Sequence, residues 1–557
     1  MIHNCHLQKT YTMRHFYFIL LFLYPLACFS QDTINITLNP GITGKTIPSD
    51  FAGLSFEKDC LKKGYLNPRF DTLIRLFQTC GIKSLRVGGN SVDTNTLSTS
   101  NAGMHYTRAE LDSLFLFAQK AGCKILIGLN LKNSNALSAD TEASYVMQYQ
   151  NSSLFGFEVG NEPDHYPKKY SYSDYKRDFT TYYNTIRQSN PAAVFTGPAC
   201  ASDFETFTLP FCGEMGDKIS MLTQHYYGGQ KNSGTISVQI DSLMSMYKLA
   251  HVSEEVRRLA SCAKSKGIIF RMSECNSIDH GGQKGVSDSF ASALWALDYM
   301  YQLASESCAG VNFHGGLAGE YTVFSRDNGI YRARPIAYGI LAFQIGSKGS
   351  FIYDTVTNKK INLDSYSVID SSNNIYTTVI NKETDTLKKA VINLTVTDTV
   401  NSRYYSAEYV KLYSPSLKDT TGVSLGGQVV DSLGTIPAYK WTSLAVTSHQ
   451  TKIPVNPHSA VVIKFNYKYG NSINDHSENN KHLLNLYPNP ATEKVTIITD
   501  KTEPSVISIY NLQGQLLIQQ QAQQGKTYID ISELTKGVYI VRLYSNARAE
   551  AGRIIKE

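Results

Sequence analysis

Between Asp50 and Gly316, eight short apolar runs bounded by turn residues alternate with longer amphipathic stretches rich in Lys, Asp and Glu. Parallel strands must be joined by crossover helices, so this rhythm restricts the chain to repeated right-handed βα units. The runs are Phe51 to Glu57, Ser84 to Asn90, Lys124 to Leu131, Phe155 to Glu162, Val194 to Ala199, Met221 to Tyr227, Ile268 to Glu274 and Gly310 to Gly316. Helical candidates between them include Asn67 to Cys80, Arg108 to Ala121, Ser173 to Ser189, Ser253 to Ser265 and Asp288 to Ser305. Eight such units predict an α/β chain built on a (β/α)8, or TIM, barrel.

After a further helical stretch, Arg334 to Ile345, the period changes from helical to alternating. Asn374 to Asn381, Lys388 to Thr397 and Ala460 to Tyr467 read as strands of a β-sandwich, and Thr33 to Leu38 is a strand that can return to join it. A single core rarely grows beyond roughly 250 to 300 residues, so a 557-residue chain needs more than one. The expected division is an export segment at 1–30, an N-terminal strand joining the sandwich at 31–48, the barrel at 49–345, the sandwich at 346–468, a linker at 469–482 and a small all-β unit at 483–557.

Met13-Arg14-His15 precedes the apolar stretch Phe16 to Ala27 and a polar continuation from Ser30, the pattern of a secretory signal peptide. That stretch is too short to span a bilayer, so no integral membrane segment is expected after cleavage. The net charge of +6 is spread without a basic run, which argues against nucleic acid. Of ten cysteines, eight remain beyond Cys28, and none has a partner at metal-ligand spacing. Buried thiols with a few bridges are expected, with no metal and no cofactor.

In a barrel of this kind, functional side chains sit at the C-terminal ends of the strands. The second run ends Arg86-Val87-Gly88-Gly89-Asn90, with Asp93 just beyond, and the fourth ends Asn161-Glu162-Pro163. The sixth ends His225-Tyr226-Tyr227, the seventh Ser273-Glu274 and the eighth Phe313-His314. Glu162 and Glu274 would then face each other across the barrel mouth, and two opposed carboxylates are what glycoside hydrolysis requires. Glu162 suits the acid/base and Glu274 the nucleophile, with Arg86 and Tyr226 orienting the latter. Adjacent residues of a regular strand point to opposite sides, so Asn161 and Glu162 both reach the site only if the backbone departs from strand geometry before Pro163. Asn161 is then placed to bind a sugar 2-hydroxyl. Asp93 and His314 are further sugar-contact candidates, each with an equal claim to a structural role; Glu158 reads as an internal ion-pair partner.

Asn161-Glu162-Pro163 with a Glu on the seventh strand resembles the clan of retaining (β/α)8 glycosidases. Phe157 to Asp164, Leu85 to Asn90, and the Gly319-Glu320-Tyr321 loop before a helix bearing Tyr338 resemble glycoside hydrolase family 79, which includes heparanase and bacterial β-glucuronidases. The resemblance covers roughly residues 33 to 467 and implies hydrolysis of β-linked glucuronides or related uronic-acid glycans. It also implies that Gly319 and Tyr321 receive the uronic acid carboxylate; Glu320 between them would repel an anionic sugar unless it points to solvent. Leu486 to Pro490, Ile509 to Gly514 and Lys536 to Val541 similarly resemble the C-terminal sorting domain of the type IX secretion system, which implies passage through the periplasm to release or cell-surface attachment. Two alternatives stay open: a clan relative acting on neutral sugars such as xylosides, glucosides or galactosides, and a surface glycan-binding protein without catalysis.

Overall fold

The structure is a computed structural model that describes residues 32–98, 105–133, 135–167, 170–397, 404–467, 484–499, 505–545 and 548–557. The expected export segment and linker lie outside the described residues. Eight parallel strands close into a barrel: β1 (Ala52–Glu57), β2 (Ser84–Gly88), β3 (Lys124–Leu129), β4 (Leu154–Val159), β5 (Phe195–Cys200), β6 (Met221–Tyr227), β7 (Ile269–Asn276) and β8 (Val311–His314). Closure comes from β8 pairing with β1, Ala52 opposite Val311. The strands are almost wholly buried, as expected where helices cover the outer face of a parallel sheet.

Helix boundaries follow local chemistry. Arg108–Ala121 begins with a capping box between Thr107 and Glu110 and ends at Gly122, whose φ of 76° closes the helix in the left-handed region. Tyr172–Ser189 starts with the equivalent pairing of Ser171 and Asp174. Helices Ala136–Tyr149, Leu209–Met215 and Ile236–Leu243 are additional to the sequence expectation, and Met246–Ser265 starts earlier than the expected Ser253. A disulfide between Cys212 and Cys262 ties Leu209–Met215 to that long helix, while six other cysteines are buried thiols.

The sandwich is one ten-stranded hydrogen-bonded sheet folded over a core that includes Ile34, Ile36, Ile392, Leu394, Ile463 and Phe465. Within it, Ser350–Thr357 and Leu363–Ile369 pair through only two residue pairs. Asp32–Thr46 lies between Ser350–Thr357, antiparallel, and Ala390–Val396, parallel. Strand Ser459–Tyr467 serves two cores: Val461, Ile463 and Phe465 face the sandwich, whereas Ala460 and Val462 pack with the barrel's core. Strand alternation alone produces that division. Helix Phe290–Ser305 adds polar ties, with Lys382 bridging Asp298 and Asp364, Tyr366 donating to Asp298 at 2.7 Å, and the Tyr301 and Tyr366 rings stacked at 4.8 Å.

Residues 484–557 form a three-stranded and a four-stranded sheet around their own core, including Val495, Ile497, Ile509, Val541 and Leu543. Asn489 clamps the module's opening turn to its last strand, donating to Arg553 O at 2.7 Å and accepting from Ile555 N at 2.8 Å. Among the described residues, no helix is long and apolar enough to cross a membrane.

Candidate active site

The ends of the barrel strands surround a cavity of about 930 Å³, lined among others by Glu57, Asn90, Glu162, His225, Tyr227, Glu274, His314 and Tyr321. Beyond β4 the chain leaves strand geometry. Gly160 has φ 82° and Glu162 φ 50°, ψ 53°, a left-handed conformation that costs a non-glycine residue roughly 1–2 kcal/mol. A hydrogen bond from Glu162 N to Ala199 O at 2.9 Å holds this turn to β5. As a result, consecutive side chains both serve the site. Asn161 Oδ1 accepts from Arg86 Nη2 at 2.8 Å, while Glu162 Oε1 lies 3.0 Å from His225 Nδ1.

Glu274 reaches the mouth through a bulge. Gln224 of β6 pairs with Met272 but His225 pairs with Glu274, leaving Ser273 as the extra residue on β7. Its two carboxylate oxygens have different partners: Arg86 Nη1 donates to Oε2 at 2.7 Å and the Tyr227 hydroxyl donates to Oε1 at 2.6 Å. Carboxylate oxygens of Glu162 and Glu274 and a ring nitrogen of His225 lie within 4.8 Å of one another. Burial pushes the Glu274 carboxyl up, but His314, His225 and Arg86 with the Tyr227 hydrogen bond together hold it well below the usual carboxylate range. The Glu162 side chain is 18 % exposed against 7 % for Glu274, so the two differ in access as well as in partners.

Arg86 is the hub beneath both carboxylates. Its guanidinium donates to Glu158, Glu274, Asn161 and Ser55, and its side chain is fully buried. Burial disfavours its charge, but Glu158 and Glu274 more than restore it. Arg86 therefore orients Glu274 and Asn161 from beneath and is not among the residues that line the cavity. Glu158 is its internal ion-pair partner.

Other expected residues fall in different places. Tyr227, not Tyr226, holds Glu274, because β6 alternates and His225 already faces inward; Tyr226 stacks on Tyr299 at 5.5 Å and borders the cavity farther out. Asp93 is a loop brace that accepts from the Tyr166 hydroxyl at 2.7 Å and Lys132 N at 3.2 Å, away from the cavity lining. His314 does face the cavity, with Nδ1 2.9 Å from Ser55 Oγ and 3.6 Å from Glu274, and Nε2 3.5 Å from Glu57. Burial opposes the His314 charge, but Glu274 and Glu57 outweigh it and raise its pKa. Tyr321 lines the cavity beside Tyr227, their rings 6.2 Å apart. Gly319 sits behind it at φ 106°, its carbonyl accepting from Arg334 at 2.7 Å, and Glu320 pairs with Arg334 at 3.8 Å outside the lining.

Sequence reasoning did not single out Glu57 as a site residue. It closes β1, accepts from Ser91 N at 2.7 Å, and meets His314 of the neighbouring strand β8 at 3.5 Å. Its position as the last residue of the first apolar run was the available signal.

The fold is that of glycosidases of known structure. A 4-O-α-L-rhamnosyl-β-D-glucuronidase from Fusarium oxysporum 12S superposes with a TM-score of 0.65 at 16 % identity, over 77 % of this chain and 100 % of that one. A family 51 arabinofuranosidase from Xanthomonas axonopodis pv. citri gives 0.60 at 12 %, over 78 % and 100 %. In sequence, a β-glucuronidase from Aspergillus niger is 25 % identical over 277 residues, 42 % of this chain; the match spans half the length of that relative, 50 %. Residues 485–557 match the family described as Secretion system C-terminal sorting domain. That module marks the chain as secreted or attached to the cell surface.

Proposed function

We propose that this chain is a retaining β-glycosidase acting on β-linked glucuronides or related uronic-acid glycans, with no cofactor. The observation that carries the reading is the approach of Glu162 and Glu274 to within 4.8 Å, one of them held ionised by Arg86 and Tyr227. Inverting enzymes leave roughly 6.5–9.5 Å for a water between the carboxyls, whereas retaining ones keep about 5–5.5 Å. In the proposed reaction, a Glu274 oxygen attacks the anomeric carbon while Glu162 gives its proton to the departing glycosidic oxygen. Glu162 then takes a proton from water, which attacks the anomeric carbon and releases Glu274. His225 positions Glu162, and Arg86 places Asn161 beside it.

The neutral-sugar alternative has its own support. Glu57, Glu162 and Glu274 put three carboxylates around the cavity's centre, and Arg86 is buried beneath them, a setting less suited to an anionic sugar. The resemblance of the Gly319-Glu320-Tyr321 loop and the likeness to β-glucuronidases favour the uronide reading. Hydrolysis of para-nitrophenyl β-glucuronide, xyloside, glucoside and galactoside by the mature protein separates the two. Turnover of a neutral glycoside alone removes the uronide assignment, and turnover of none removes glycosidase activity.

A further inference from the structure

The cavity extends past the catalytic pair to a wall that the proposed chemistry does not use. Glu57 of β1, His314 of β8 and Asn90, just beyond β2, line the cavity near Glu274, with His314 3.6 Å from Glu274 and 3.5 Å from Glu57. The lining also takes in the loop Gly228–Ser233, which follows β6, and one face of helix Met246–Ser265, which contributes Lys248, His251 and Glu255. These three positions are spaced three and four residues apart and so share a face of the helix.

Glu255 is partly buried and, among the described residues, makes no hydrogen bond or ion pair. Burial alone raises its carboxyl to about 7, and its charge disfavours ionisation of the Tyr226 phenol. An unpartnered carboxylate in a cleft is unfavourable in the empty protein and is a mark of a group awaiting a ligand. Beside it, Lys248 donates to Gly228 O at 2.9 Å and keeps two of its three N–H donors. The disulfide Cys212–Cys262 fastens the same helix to its neighbour, so the wall is braced.

We propose that Tyr226, Lys248, His251 and Glu255 form a leaving-group subsite that receives the second sugar of a glycan, its hydroxyls on Glu255 and Tyr226 and an acidic substituent toward Lys248 and His251. The proposal rests on the glycosidase reading, in which Glu162 protonates the departing sugar. It makes the natural substrate an oligosaccharide and gives Tyr226 a function separate from Glu274.

The test compares two substrates with the same glycone, a para-nitrophenyl glycoside and a disaccharide whose leaving group is a uronic acid, in the full mature chain. Lys248→Met and Glu255→Gln are the variants; Lys248 is exposed, so its replacement does not threaten folding. Each lowers the ratio of kcat/KM for disaccharide over nitrophenyl glycoside by about tenfold, the effect of one hydrogen bond to a charged group. A ratio unchanged in both variants, including equal losses on the two substrates, overturns the subsite, as does a wild-type enzyme that cleaves only the nitrophenyl glycoside. A wild-type protein inert on every glycoside instead overturns the glycosidase reading itself.

Discussion

Replacing Arg86 by Met tests the hub beneath the two carboxylates. The side chain is fully buried and donates to Glu158, Glu274, Asn161 and Ser55. Glu158 Oε1 already lacks a partner, so the variant leaves that carboxylate with none inside the barrel. Removing one member of a buried ion pair costs about 3–5 kcal/mol. At roughly 2–4 °C per kcal/mol for a unit of this size, the melting temperature should fall by about 6–20 °C. The double variant Arg86→Met, Glu158→Gln removes the stranded charge and should recover most of that loss. Activity should not return with it, because Glu274 still lacks its cation; we expect kcat to stay down about 10²–10³-fold, the range for one preorganised electrostatic partner. Calorimetry and nitrophenyl glycoside hydrolysis on the same preparations give both numbers. A single variant destabilised by less than about 1 kcal/mol, or a double variant no more stable than the single, refutes the hub.

Glu274→Ala should lower turnover by about 10⁴-fold or more, whereas Glu162→Ala should spare formation of the glycosyl-enzyme from substrates with good leaving groups, read as a burst of nitrophenol. Tyr227→Phe should lower kcat/KM by about 10- to 100-fold, the loss of one hydrogen bond to a carboxylate, measured on the same substrates. The lowered pKa of Glu274 adds stability above its ordinary value of 4.5 that fades as pH falls through the depressed value. The raised pKa of His314 adds stability present below 6.5 that fades as pH rises through the elevated value. Melting temperature should therefore peak between those two ordinary values, and His314→Gln should abolish the alkaline-side slope. Reducing the Cys212–Cys262 bridge, which closes a loop of 50 residues, should cost about 4 kcal/mol, seen as a lower melting temperature in dithiothreitol.

The barrel was legible because each strand is a short apolar run with turn residues at both ends, and Arg108–Ala121 was legible because its caps are local. Glu162 and Glu274 stood at strand ends beside recognisable neighbours. Tyr226 and Tyr227 could not be told apart, since which of two adjacent residues faces inward depends on the register against β7, where Ser273 bulges. Asp93 and Gly319 belong to loops whose direction is set by distant partners, Tyr166 and Arg334, that no short spacing reveals. Glu255 carries no local signal in the sequence, because the cavity beside it is also lined by a different segment, Gly228–Ser233.

The strand Asp32–Thr46 has a consequence for biosynthesis. It is the first described segment to emerge from the ribosome, yet its neighbours in the sheet, Ser350–Thr357 and Ala390–Val396, are made more than three hundred residues later. The sandwich cannot seal until nearly the whole barrel has been synthesised, and such long-range pairing is slow. That delay keeps the nascent chain open, the condition in which a polypeptide can be threaded through a translocon.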